Sequence, residues 1–172
     1  MKLKIGEGKI LQTIVEEKLE ESQILAGQEK SHDLNILPWP FESDSVEEIR
    51  MENILGMVED ILGMMMEIYR ICKNGAKIYI AVPWYNSSSA ATDCRNIHLF
   101  NFTTFDFLLK EMEKEGKIFR LIKMKSIPHR KFRWIPNFKI PFLTRKFRDV
   151  IATFIGEIDQ YIYVELAVEK NK

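Results

Sequence analysis

The amino-acid sequence predicts a single α/β domain, doubly wound around a mostly parallel sheet with an antiparallel edge strand. Three observations predict it. Strand-like and helix-like apolar periods alternate through the middle of the chain, the pattern of parallel βαβ units. The last two strand-like segments follow each other through a non-helical insert, which suits an antiparallel edge. The chain has 172 residues, 46% of them apolar, enough for one domain with one core.

Leu3 to Ile5 is β-prone and ends at Gly6-Glu7-Gly8. Leu11 to Val15 reads as a second strand, closed by Glu16-Glu17. Residues 18 to 32 are polar and carry no clear period. Leu37-Pro38-Trp39-Pro40-Phe41 holds two prolines in three residues, which forbids a helix interior and a central strand. It is expected to be an ordered loop whose aromatics pack down. Val46 to Ile54 carries apolar residues at 46, 49, 51 and 54 and suits either strand or helix. From Val58 the spacing 58, 61, 62, 65, 68, 69, 72 is helical. Lys73-Asn74-Gly75 should end that helix, with a cation in the last turn and a glycine able to take positive φ.

Ala76 to Val82 is the clearest strand, stopped by Pro83. A long polar loop, 84–101, follows. Thr103 or Thr104 can cap a helix that runs to Lys114 and ends at Gly116. Lys117 to Ile127 and Gln160 to Val168 alternate as strands. Between them, residues 128–148 form a proline-punctuated insert or lid within the single domain, 1–172. Met64, Met65 and Met66 sit in the long helix, where methionine usually serves packing.

Lys+Arg and Asp+Glu both number 25, so no overall field drives the chain onto nucleic acid or an acidic membrane. The charge is uneven: Glu16 to Glu21 is acidic, and 130–148 holds seven Arg or Lys, five aromatics and no acid. Cations beside aromatics suit three roles: a lid over the substrate, docking at a membrane surface, or contact with phosphates and bases. Two cysteines, Cys72 and Cys94, are too few for a disulfide framework. Cys94-x-x-x-His98 alone does not make a zinc set, so no metal is expected. No apolar run approaches the roughly 18 residues of a transmembrane helix, and no signal peptide is evident. A soluble cytoplasmic protein is the expectation.

Taken in order, these residues resemble the class I S-adenosylmethionine-dependent methyltransferases, type 11 group, with their Rossmann-like fold. Lys2 to Gly8 resembles the family's strand followed by Gly-x-Gly. Asp33-Leu34 through Leu37-Pro38-Trp39-Pro40-Phe41 to Asp44-Ser45-Val46 resembles its D-L…L-P-F…D-x-S-F/V stretch. Glu67-Ile68-Tyr69-Arg70 to Asn74-Gly75-Ala76-Lys77-Ile78 resembles E-x-x-R-v-L-k-p-G-G-x-l. Asp93 and Ile97-His98-Leu99-Phe100 resemble its D-P-T-H loop leading into F-T…F. Tyr163 to Leu166 resembles its last strand. The chain departs from the pattern at Glu7 inside Gly-x-Gly, at Ala76, and in the five-residue spacing from Asp93 to His98. Leu55-Gly56-Met57 stands where the family has L-E-H.

The resemblance implies S-adenosylmethionine as cofactor and methyl transfer to an oxygen or nitrogen of an acceptor, small-molecule or glycan-like. Gly6, Glu7 and Gly8 would meet the methionine end, since glycine backbone permits close approach. Glu16 or Glu17 would accept the ribose hydroxyls; the alternative is a solvated acidic stretch. Asp33 would accept the adenine amino hydrogen, with Leu34 bonding through its backbone; the alternative is a turn aspartate. Asn53 would lie where cofactor and acceptor meet, or else simply end its strand. His98, with Asp93, is the candidate base, against a structural loop histidine. The departures leave a second function open. It is a catalytically degenerate methyltransferase-like protein that contacts a protein, nucleic acid or membrane surface through 128–148.

Overall fold

The computed structural model describes residues 1–5, 23–24, 33–128 and 159–170. Among them the elements are β1 (Lys2–Ile5), β2 (Gln23–Ile24), β3 (Val46–Glu52), α1 (Ile61–Ile71), β4 (Cys72–Pro83), α2 (Ser88–Thr92), α3 (Phe102–Lys114), β5 (Ile118–Pro128) and β6 (Asp159–Glu169). They build one six-stranded sheet in the order β2-β1-β3-β4-β6-β5. The first four strands run parallel, and β6 lies antiparallel between β4 and β5. This is the mixed sheet with an antiparallel edge that the sequence predicts. The expected strand Leu11–Val15 lies outside the described residues, as does the insert beyond Pro128.

Several boundaries differ from the sequence reading, for identifiable reasons. Val46–Ile54 resolves as a strand, because Ile49 and Met51 are buried between β1 and β4. The long helix begins at Ile61 rather than Val58. Asp60 is its N-cap and accepts from the Gly63 N–H at 2.8 Å, satisfying one of the orphan donors of the first turn. It ends at Ile71, before Lys73. Cys72 is extended, pairs with Val46 and still donates its N–H to Ile68. Residues 73–75 therefore belong to a bulged start of β4, where Gly75 takes φ +79°. Lys73 pairs with Glu47 instead of capping the helix. Asn101, not a threonine, caps α3. It forms a reciprocal capping box with Thr104, and Gly116 at φ +70° closes the far end. The 84–101 loop contains the short helix α2.

The core lies between the sheet and the two longer helices. Ile49, Ile78, Ile80, Val82, Ile162, Val164 and Leu166 meet Met64, Met65 and Ile68 of α1 and Phe105 and Met112 of α3. Met64 and Met65 are fully buried, each contributing about 1.5–3 kcal/mol by leaving water. Met66 stays at the surface. On the opposite face Tyr79, Ala81 and Tyr163 form a second, small cluster, and Arg50 stacks over the Tyr79 ring at 5.1 Å.

Residues 33–45 run as a strap along α1. The aromatics of the Pro-Trp-Pro-Phe segment pack down as expected, with Trp39 2% exposed and Phe41 partly buried, while Pro38 and Pro40 face solvent. The buried Glu67 carboxylate fastens the strap. It accepts from the Trp39 N–H at 2.7 Å and from Arg70 Nε at 2.9 Å. Arg70 in turn donates to the Phe41 carbonyl at 2.8 Å and the Ser43 hydroxyl at 3.2 Å. The Arg70 hydrogen bonds hold the Glu67 carboxyl below the usual carboxylate range. Burial opposes them, and the Trp39 N–H adds to them.

Removing one member of such a pair strands the other, so Glu67→Ala should lower unfolding free energy by about 3 kcal/mol in urea titrations. That figure is at the low end because the Arg70 side chain is 33% exposed. The depressed pKa also predicts a pH dependence. The folded state binds the Glu67 proton more weakly than the unfolded chain. This contribution is therefore complete above the unfolded carboxylate pKa of about 4.3 and is lost as pH falls through the lower folded value. Stability measured from pH 6 down to pH 2 should fall less steeply in Glu67→Gln than in the wild type.

Candidate functional site at the carboxyl ends of the parallel strands

Strand order reverses direction between β1 and β3, since β2 lies to one side of β1 and β3 to the other. In open α/β sheets that switch point opens a crevice beyond the carboxyl ends of the strands. β1 ends at Ile5, level with Met51 of β3, so Glu52 and Asn53 stand at the carboxyl end of the switch point. Gly6, Glu7, Gly8 and Glu16 lie outside the described residues.

Asn53 sits where the sequence reading expects it, at the tip of β3. Its φ of +58° is left-handed, a conformation asparagine tolerates better than most side chains. Its N–H bonds the Ala81 carbonyl of β4 at 2.9 Å. Its Oδ1 is buried and accepts no hydrogen bond among the described residues. Trp84 Nε1, just past the tip of β4, is likewise buried without a partner. Buried polar atoms are normally satisfied, so orphans at strand tips mark places for a polar ligand or water.

Asp33 and Leu34 reach the same end of the sheet through their neighbour. Asn35 Oδ1 accepts from the Glu59 N–H at 2.9 Å, tying the start of the strap to the loop that follows β3. Asp33 is exposed, and its Oδ1 accepts from the Asn35 N–H at 3.0 Å and from Asn35 Nδ2 at 3.2 Å. It therefore builds a turn. The Leu34 carbonyl accepts from Trp39 Nε1 at 3.2 Å.

The polar loop after α2 packs onto the loop after β3. The Gly56 carbonyl accepts from the Ile97 N–H at 2.8 Å and the His98 N–H at 3.2 Å. His98 is half-buried, and its Nε2 lies 3.0 Å from the Val58 carbonyl. A carbonyl can only accept, so Nε2 carries a proton, and in the neutral ring Nδ1 is then the nitrogen with the lone pair. The expected pairing of Asp93 with His98 does not form. Both Asp93 oxygens bind the Arg95 guanidinium, at 2.9 and 2.7 Å. Those hydrogen bonds, with the Arg95 N–H, pull the Asp93 carboxyl down to about 2. A fork two residues away outcompetes an imidazole five residues away whose ring is already turned to Val58.

Asn35 and Asn96, which no motif in the sequence marks, also build this end of the sheet. Asn96 Nδ2 donates to the Ala90 carbonyl at 3.2 Å, and its Oδ1 lies buried against Gly56. The only local signal was Gly56 itself, a glycine opposite a polar loop. Cys72 is buried, and burial pushes its thiol up to about 12, which leaves it unreactive. Among the described residues no three metal-ligating side chains cluster, and no helix is long and apolar enough to cross a membrane.

No family model matches the chain, and no curated protein matches it in sequence. Its fold matches many solved structures. A S-adenosylmethionine-dependent methyltransferase from Archaeoglobus fulgidus superposes with a TM-score of 0.61 at 14% identity, covering 98% of this chain and 85% of that one. A putative methyltransferase of Haloferax volcanii, solved in complex with the activator Trm112, gives 0.57 at 15% identity, over 99% and 82%. The [4+2]-cyclase SpnF gives 0.58 at 11% identity, over 99% and 74%. The chain thus has the class I methyltransferase fold.

The left-handed backbone at Asn53 makes a direct prediction. Asn53→Gly should leave stability near the wild type, whereas Asn53→Val should cost about 1–2 kcal/mol, read from urea midpoints.

Proposed function

We propose that this chain binds S-adenosylmethionine at the β1–β3 switch point and transfers its methyl group to an oxygen or nitrogen of an acceptor. The fold supports the class of reaction. The observation that carries the reading is the buried Asn53 Oδ1, unpartnered among the described residues, at the carboxyl end of the β1–β3 switch point. The residues present fit such a group: an orphan acceptor at the tip of β3, a strap turn tied beside it, and a glycine pair next in sequence after β1. Gly6, Glu7 and Gly8 would hold the methionine end, Glu16 the ribose, and Asp33 with the Leu34 backbone the adenine. Asp33 Oδ2 is free of the Asn35 bonds and is the oxygen for that contact.

When bound, the sulfonium supplies an electrophilic methyl. The chain's part is to aim the acceptor at it and take the proton that the acceptor loses. His98 is the base, acting through Nδ1. Asp93 shapes the loop through Arg95 rather than touching the base. The acceptor lies under the 84–101 loop, with 128–148 as its cover; small molecules and glycan-like compounds fit that description. Because a cyclase shares the fold, fold alone does not decide the chemistry. A second reading, binding without turnover, draws on Gly56 and Met57, which stand where the resembled family has an acid and an imidazole.

Thermal unfolding with S-adenosylhomocysteine at 100 times its dissociation constant should show about 2.7 kcal/mol of added stability. No stabilisation, and no heat of binding by calorimetry, would remove the cofactor from the account. With binding established, His98→Ala should lower turnover and leave cofactor affinity unchanged. Binding with no methyl transfer to any of a panel of alcohols, amines and sugars would favour the second reading.

A further inference from the structure

Gly56 is the point where two loops interlock. A Cβ built there would stand 2.6 Å from Asn96 Oδ1, closer than real contacts allow. The Asn96 amide therefore occupies the space that a side chain at position 56 would need. It is held in that space from its other end, by Nδ2 on the Ala90 carbonyl and by its backbone N–H on the Asp93 carbonyl at 3.1 Å. On either side of this plug the Gly56 carbonyl takes the Ile97 and His98 N–H groups, and Val58 takes His98 Nε2. Among the described residues the Asn96 Oδ1 is left buried without a hydrogen bond, which is costly.

We infer that Asn96 is a positioning residue for His98, filling the volume vacated at Gly56 so that the 93–98 loop can lie on the tip of β3. In this position the loop fixes the His98 tautomer. Nε2–H is committed to Val58, so in the neutral ring it is the Nδ1 lone pair that can accept a proton. The catalytic consequence rests on the proposed methyl transfer. In that transfer the acceptor's O–H or N–H bond would break, its proton would go to His98 Nδ1, and its electron pair would take the methyl from the cofactor, leaving a neutral thioether. The imidazolium then returns its proton to water. The placement of His98 itself does not depend on that reading.

Long-range nitrogen–proton spectra of the imidazoles test it. The chain has three histidines, so His98→Gln assigns the signal. The wild type should show His98 in the Nε2–H form. Asn96→Ala should shift it to a mixture of tautomers. Gly56→Ala should do the same, because its methyl displaces the amide. The double variant Gly56→Ala/Asn96→Ala should return towards the wild-type signal, because the methyl then has room. If Gly56→Ala does not fold, Asn96→Ala alone decides.

An unchanged His98 tautomer in Asn96→Ala would overturn the inference, as would a double variant no closer to wild type than either single one. In an active preparation, Asn96→Ala should lower kcat by about tenfold or more with little change in cofactor KM. Failure to bind cofactor, with the spectra as expected, would count against the proposed function and leave the positioning of His98 standing.

Discussion

The Glu67–Arg70 pair decides where the strap lies, and the strap decides what reaches the crevice. Glu67 is buried in α1 with its carboxylate turned to the Trp39 N–H, and Arg70 spreads over the Phe41 carbonyl and the Ser43 hydroxyl. A carboxylate in that setting is tolerable only because every contact answers its charge. With the middle of the strap fixed, its two ends have fixed destinations. Ser45 bonds Ile71 at the foot of β3, and Asn35 bonds Glu59 above its tip. A three-residue helical spacing thus carries Asp33 and Leu34 to the end of the sheet where ligands collect.

That end differs in kind from the other. At the amino ends of β3 and β4 there is a depression of about 340 Å³ lined by Tyr69, Arg70, Lys117 and Lys170. Arg70 and Lys170 there already have partners. Lys170 binds Asp44 and the Arg70 carbonyl, and it shares the Tyr69 ring with Lys117. At the carboxyl ends the orphan atoms of Asn53, Trp84 and Asn96 leave hydrogen bonds unmade. Among the described residues, the unmade side-chain hydrogen bonds gather towards the top of the sheet, with Arg50 Nη1 in its middle.

Much of the architecture was legible because apolar periodicity reports burial directly. Ile78, Ile80 and Val82 alternate because one face of β4 meets the helices. The E-x-x-R spacing was legible as a resemblance, yet its physical role, clasping the strap, needed the backbone of Trp39 and Phe41. Helix ends were misplaced where a local choice competed. Asp60 capped later than the apolar period suggested, and Cys72 joined Val46 across the sheet rather than adding a turn to α1. At the candidate site, Asn53 could be read from its place after a strand. The fate of Asp93 could not, because Arg95 and His98 are both near it in sequence and only three-dimensional geometry chooses between them. The Gly56–Asn96 contact spans forty residues and has no periodic signature.

The central claim is that the crevice between β1 and β3 is the ligand site. Backbone amide spectra recorded during titration with S-adenosylhomocysteine test it most directly. The account predicts the largest shifts at Ile5, Leu34, Glu52 and Asn53, with Tyr69, Lys117 and Lys170 unmoved. Shifts centred on those last three residues, or none at the strand tips at saturating ligand, would contradict it.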